Sequence, residues 1–472
     1  MNNTRAKHSR TASLSALTLL LGTIAALAVL STNRPRDGSD RSGQTGRDAS
    51  PLSLGARVHL GTVENGRLVD FSPDGSILAV AAEGTWTSVG PIRLWDVRSR
   101  RELTPVGDGW SHLETIRFSP DSTLVAAHDK RRGMGVWEAR TAVQRDAFKP
   151  PTIYENAVSF WFSPDSKSLL FRHYGEKFPE ESEFKIRDIG AGRDRASITA
   201  EPWRFVFSAD GSRVAAGVTS SRGQRGRVML WSWAAGKEPS LIRDYPVSAD
   251  HLALSRDLAT YATANDSQPT RSESTIQIID TDTGRPRLTF THADEETHIQ
   301  EISFSHAGNL LIANSGGGSQ WAWTTRSTVW DITGPVARAI GSYPTEPAIS
   351  PDGRLLAVRD ESSVKLVDAA TGRERGHLTK AGDTVSWGYG SFPPHTSYPS
   401  VTFSPDGRVV VVWRLYENVV GRGLAGITRV WQVEPLRELR VLESCRDLRF
   451  SPDSRALVTL EADGSLNLLP IH

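Results

Sequence analysis

Along most of this chain, apolar and polar residues alternate in short runs that stop at a turn and start again. Arg67-Leu68-Val69-Asp70-Phe71 is one such run, and Ser76-Ile77-Leu78-Ala79-Val80-Ala81 follows it. Runs of this kind, rich in branched and aromatic residues, predict strands with one face buried. Between them stands Ser72-Pro73-Asp74-Gly75, in which Pro73 pre-sets φ at the second position of a type I turn and Gly75 takes the fourth. The unit predicts a β-hairpin.

The hairpin phrase returns nine times: FSPDG at Phe71–Gly75, FSPDS at Phe118–Ser122 and Phe162–Ser166, FSADG at Phe207–Gly211, LSRDL at Leu254–Leu258, FSHAG at Phe304–Gly308, ISPDG at Ile349–Gly353, FSPDG at Phe403–Gly407 and FSPDS at Phe450–Ser454. After each hairpin comes another extended run, such as IRLWDV at Ile92–Val97, MGVWEA at Met134–Ala139, STVWDI at Ser327–Ile332 or VKLVDA at Val364–Ala369. A Gly-containing turn usually follows, as at Asp280–Gly284 and Asp368–Gly372, and a fourth run leads into the next unit. Four short antiparallel strands repeated at this period predict the blades of an all-β β-propeller of nine units.

The Trp-Asp pairs Trp95-Asp96 and Trp330-Asp331, joined to the recurring SPDG turns, resemble the WD-repeat family in its bacterial form. The resemblance covers about residues 55–472 and implies the propeller fold. It says little of activity, because the family hosts many roles. The Gly-His pair typical of the family stands clearly at Gly376-His377, where the resemblance implies a buried hydrogen-bond network from the histidine to the tryptophan.

The last unit ends after its third strand, at Leu469-Pro470-Ile471, while Gly55–Gly61 precedes the first hairpin without a place in it. This predicts one ring closed by its two ends, with Val58 pairing along the Ser465–Leu469 strand. The residue before the turn aromatic lies on the innermost strand and faces the next blade. It is small or apolar at Val206, Ala253, Ser303, Ala348 and Thr402, but charged at Arg449, Asp70 and Arg117, which a single ring makes consecutive. Buried charge is tolerated when paired, so Asp70 is expected to bridge to Arg449 or Arg117 and to specify the closing register.

Ahead of the repeats the pattern changes. A basic flank, residues 1–13 with Arg5, Lys7 and Arg10, precedes an uncharged apolar stretch, residues 14–31, and a Gly/Ser/Arg/Asp linker, residues 32–54. Positive flank, apolar centre and polar linker mark a targeting segment. Its length favours an uncleaved transmembrane signal-anchor helix over a signal peptide, and the leading basic residues place the N-terminus inside. The propeller is then expected outside the cytoplasm, tethered to the membrane. The alternative is a secreted or periplasmic protein after signal cleavage at Ala26-Leu27-Ala28 or Ser31.

Composition narrows the chemistry. With 55 basic and 54 acidic side chains, the net charge of +1 gives no electrostatic case for nucleic acid. The chain holds a single cysteine, Cys445, which excludes an intramolecular disulfide and reads as a small buried residue. Five of the fourteen Trp occupy the fourth position of the second phrase, at Trp95, Trp137, Trp231, Trp330 and Trp431, and are expected to pack between blades. The loop His292-Ala293-Asp294-Glu295-Glu296-Thr297-His298 is rich in ligand types but lacks the convergence a metal needs. Lys130-Arg131-Arg132 and Arg222–Arg227 read as solvated loops. The turns differ from the Asp-box turns of propeller sialidases, which carry a Trp shortly after the Gly, where this chain has Ile77-Leu78 and Val409-Val410. No catalytic residue, metal site or cofactor is expected.

Because strands alternate direction, all the SPDG turns share one face of the disc and the next connections share the other. Those second connections are the long ones: Ala82–Pro91, Arg172–Glu183, Val218–Arg227, Ala264–Ser274, Asn314–Arg326, Arg414–Ile427, and the inter-blade Lys380–Pro399. They carry Trp86, Trp321, Trp323, Trp387, Tyr389, Phe392 and Tyr398, candidate anchors for a protein or peptide partner, with folding back to cap the propeller as the alternative. The reading is a membrane-tethered, non-enzymatic scaffold; the alternatives are an extracytoplasmic propeller enzyme of hydrolase or lactonase type, or a carbohydrate or small-ligand binder.

Overall fold

The computed structural model describes residues 52–472 except 64–65, 83–89, 108–109, 111–112, 130–131, 150–159, 175–181, 200–203, 209–212, 219–225, 234–238, 248, 267–272, 294–297, 320–321, 360–362, 380–398, 414–415, 418–423, 426 and 444. The chain forms a nine-bladed β-propeller, each blade a four-stranded antiparallel sheet. Blades 1 to 8 span residues 66–102, 113–148, 160–199, 204–247, 251–293, 298–343, 348–377 and 400–442. Blade 9 takes three strands from residues 445–470, and its fourth from Val58–Thr62 at the other end of the chain.

That fourth strand runs antiparallel to Ser465–Pro470, with Val58 opposite Leu468 and Thr62 opposite Ser465. The pairing continues into the stretch expected to be linker. Leu54 bridges Ile471, and the Ser53 amide donates to the His472 carbonyl at 2.9 Å. Blade 8 holds the same segment from the side. Arg440 donates to the Gly55 and Leu54 carbonyls at 3.0 Å each, and Arg437 to that of Leu52 at 2.7 Å. One ring therefore closes by joining its ends, as the unpaired third strand of the last repeat predicts.

The turns behave as their chemistry predicts. Gly75 N–H donates to Ser72 C=O at 2.8 Å, and Gly75 has φ +71, in the left-handed region where glycine carries no Cβ penalty. The fully buried Ser72 hydroxyl donates to Asp74 and accepts the Ile77 amide, at 2.6 and 2.9 Å. The same hydroxyl-to-carboxylate bond recurs at Ser119–Asp121, Ser163–Asp165, Ser255–Asp257, Ser350–Asp352, Ser404–Asp406 and Ser451–Asp453.

Between blades the core is built of buried apolar side chains. Phe71, Leu78, Val80 and Trp95 of blade 1 pack on Ala456, Val458 and Leu466 of blade 9, while Ile77, Ala79 and Leu94 pack on Phe118, Val125 and Trp137 of blade 2. Phe71 and Phe118 thus face the preceding blade, as do Phe162, Phe304, Phe403 and Phe450. Of the second-phrase tryptophans, Trp95, Trp137, Trp231 and Trp431 are buried and Trp330 is half-buried. The network that the resemblance implies from His377 is not formed there. His377 lies exposed on the outer strand, 3.0 Å from Glu374, because that strand faces solvent.

Candidate functional site

The two faces of the disc are built differently. On the turn face, one motif repeats around the ring. On the other, the elements differ from blade to blade. In blade 6, the segment 314–326, expected as a loop, largely continues the sheet: Leu310–Ser319 and Ala322–Asp331 pair without a break from Leu310 opposite Asp331 to Ser319 opposite Ala322. Blade 8 carries an extra two-stranded sheet, Tyr416–Glu417 with Leu424–Ala425, between its second and third strands. Blades 3 and 5 extend theirs as well, to Tyr174 opposite Ser182 and Asp266 opposite Ser274. Backbone pairing consumes what the composition suggested was loop, since each strand's donors and acceptors find partners across the hairpin.

Trp86, Trp321, Trp387, Tyr389, Phe392 and Tyr398 lie outside the described residues. Trp323 is on the extended hairpin of blade 6, its backbone opposite Gly318. Below these connections a polar network ties blades 6, 7 and 8 together. Ser327 donates to Asn314 at 2.6 Å and Asn314 to the Glu346 carboxylate at 3.0 Å; Arg359 donates to the carbonyls of Glu346 and Pro399, at 2.5 and 3.5 Å. Burial lowers the pKa of Arg359, and the charge of Glu346 opposes that. The network is a clamp that fixes where the connections leave the ring.

A second cluster lies on the innermost strands. Asp70, Arg117, Trp161 and Arg449 share one register position, each opposite the third residue of its second strand: Asp70 with Ala79, Arg117 with Ala126, Trp161 with Leu170 and Arg449 with Val458. All four are partly exposed. The Arg117 guanidinium lies over the Trp161 ring, 5.8 Å from its centroid, in the next blade. Trp161 was absent from the sequence reading although its place before Phe162 was the available signal.

A hydrogen-bonded bridge from Asp70 to an arginine is not among the described contacts. Asp70 accepts the amide of Phe71 at 2.8 Å, and Arg449 donates to Asp447 Oδ1 and the Leu448 carbonyl at 2.8 and 2.7 Å. Both arginines act on Asp70 through space. Burial nevertheless outweighs them and the Phe71 amide, and raises the carboxyl above its ordinary value. Arg117 is the mirror case, lowered by burial and partly restored by Asp70.

The remaining candidates take structural places. Cys445 is buried, and desolvation pushes its thiol up to about 12. His292 is buried with its ring edge-on to Trp330, while residues 294–297 of that loop lie outside the described residues. Arg227 pairs with Asp244 on the neighbouring strand, whereas Lys130, Arg131 and residues 222–225 lie outside the described residues. Among the described residues, no three His, Cys, Asp or Glu side chains converge as a metal would require. The expected span, residues 14–31, also lies outside; among the described residues no helix is long and apolar enough to cross a membrane.

No protein-family model matches the chain. No curated protein matches it either. Solved structures match in fold. The structure described as "the eukaryotic initiation factor" aligns with a TM-score of 0.52 at 14% identity, over 81% of this chain and 89% of that one. The Dos1 propeller aligns at 0.46 and 15% identity, over 89% and 95%, and the computationally designed Ika8 protein at 0.43 and 16%, over 87% and 99%. At these identities the likeness is one of fold.

Proposed function

We propose that this chain is a divergent WD-repeat-like propeller, tethered to the membrane by residues 14–31, that presents its long-connection face outside the cytoplasm to a protein or peptide partner. The observation that carries this reading is the asymmetry of the disc. One face repeats a single four-residue turn, whereas the other bears a ten-residue-strand hairpin in blade 6 and an added sheet in blade 8. Variable elements on a rigid ring are where recognition concentrates. The near-zero net charge, +1, favours a partner held by aromatic anchors over a polyanion.

The test is crosslinking and affinity capture with the full chain in detergent, comparing the parent with Trp387→Ala/Tyr389→Ala and with a turn-face control, Lys167→Ala. Capture of a defined partner is expected to fall in the first variant and persist in the control, with Tm nearly unchanged in both. A large drop in Tm for the aromatic variant would show that these side chains cap the ring, and the reading would lose its support.

A further inference from the structure

We propose that the turn-side end of the central channel is a binding site for a small organic carboxylate, held by the Arg117 guanidinium with Trp161 as its apolar wall. The proposal concerns the innermost strands, and it stands apart from the partner face on the opposite side of the disc.

The first observation is an uncommitted cation. Arg117 Nε is buried and makes no hydrogen bond, and among the described residues the rest of its guanidinium makes none either. A guanidinium carries five donors in a planar fork, and a buried donor without an acceptor is costly. Its described neighbours do not discharge it. Asp70 acts on Arg117 only through space, its carboxylate accepting the Phe71 amide at 2.8 Å. Arg449 has its own counter-charge in Asp447, 2.8 Å away. The contact made by Arg117 is with the Trp161 ring, 5.8 Å from its centroid, and among the described residues the Nη1/Nη2 edge of the fork has no acceptor.

The second observation is room. The same register position is filled by Ala253, Ser303, Ala348 and Thr402 in blades 5 to 8. Large side chains thus stand on one arc of the ring and short ones on the other, around a channel enclosed by nine blades, more than most propellers have. A cationic fork beside an indole, in a nine-bladed ring whose other arc carries short side chains at the same register, suits a planar monoanion with an apolar body. The two oxygens of a carboxylate match the fork, and its organic part would lie against Trp161.

The test uses the full chain in detergent, titrated with benzoate, with inorganic phosphate, and with a capped Glu-containing peptide, followed by calorimetry and by Tm. Benzoate is expected to bind saturably and raise Tm. Arg117→Lys, which keeps a charge but loses the fork, is expected to weaken it about tenfold. Arg117→Met is expected to abolish binding with Tm nearly unchanged, since the guanidinium makes no hydrogen bond among the described residues and its buried Nε has no acceptor. Trp161→Leu should weaken benzoate and leave phosphate unaffected. Benzoate binding equally to the parent and Arg117→Met, no benzoate binding by the parent, or binding of phosphate or peptide in preference to benzoate would each overturn the proposal.

Discussion

The Ser122 hydroxyl accepts a hydrogen bond from the backbone amide of Asp74, 3.0 Å away in the turn of the neighbouring blade. Ser166 does the same for Asp121 at 3.2 Å, and Ser454 for Asp406 at 3.0 Å. These serines stand where glycine ends the turn in five other repeats and Leu258 in the remaining one, and they hold the left-handed backbone, with φ of 65, 61 and 61 for Ser122, Ser166 and Ser454. A side chain there is strained by about 1–2 kcal/mol. The bond across the blade boundary offsets the strain, so Ser in place of Gly marks a lock between blades.

Substitution at Ser122 separates the two effects. Ser122→Ala keeps the strain and loses the acceptor, and is expected to destabilise by about 1–2 kcal/mol. Ser122→Gly loses both, and is expected to lie within about 0.5 kcal/mol of the parent. Chemical denaturation of both variants checks the order; an alanine variant as stable as the glycine one would remove the lock.

Truncation addresses closure. Removing residues 1–50 is expected to leave Tm unchanged. Removing 1–61 takes away most of the strand paired to Ser465–Pro470, along with buried Leu52 and Leu60. The cost is expected to be on the order of 3–6 kcal/mol, from lost burial and an opened sheet edge. Equal Tm values for the two truncations would show that the ring does not depend on this strand.

Asp70 gives the stability a pH dependence of defined sign. Its folded-state pKa is raised by burial, so folding favours the protonated form. Stability from this group is fully present below its ordinary pKa of 3.8 and declines as pH rises through the raised folded value. Asp70→Asn, which is always neutral, is therefore expected to be no less stable than the parent at pH 7, with any advantage disappearing toward pH 3. A variant markedly less stable at pH 7 would mean that Asp70 acts mainly as a charged partner of its arginines.

Cys445 reports on the same ring. With its thiol buried and pushed up to about 12, it is expected to resist a thiol-specific chromogenic reagent at pH 8 in the native state and to react fully in denaturant. Rapid reaction of the folded protein would contradict its burial between blades 8 and 9.

What the amino-acid sequence determined is local. Period-two alternation, a serine at the first turn position and, in most repeats, a proline at the second and a glycine or serine at the fourth act within a few neighbouring residues. They therefore specify nine hairpins before any blade meets another. The missing strand of the last repeat was legible too, because a four-strand unit leaves a countable vacancy. The register before each turn aromatic brought out Asp70, Arg117 and Arg449, but sorting those positions by charge passed over Trp161. It also missed that Asp447, two residues before Arg449 on the same side of one strand, reaches that guanidinium ahead of Asp70 in the next blade.

The tertiary structure decided whatever depends on residues far apart in the chain. Ser122 meets Asp74 across 48 positions and Arg440 meets Leu54 across 386, and no local pattern encodes either. Whether a Gly- and Ser-rich stretch such as 314–326 stays a loop or extends a sheet depends on pairing across the hairpin, which composition does not set. Hydrogen-bond partners and burial are settled when the ring closes. That is where burial raises the pKa of Asp70 and the guanidinium of Arg117 comes to lie over Trp161.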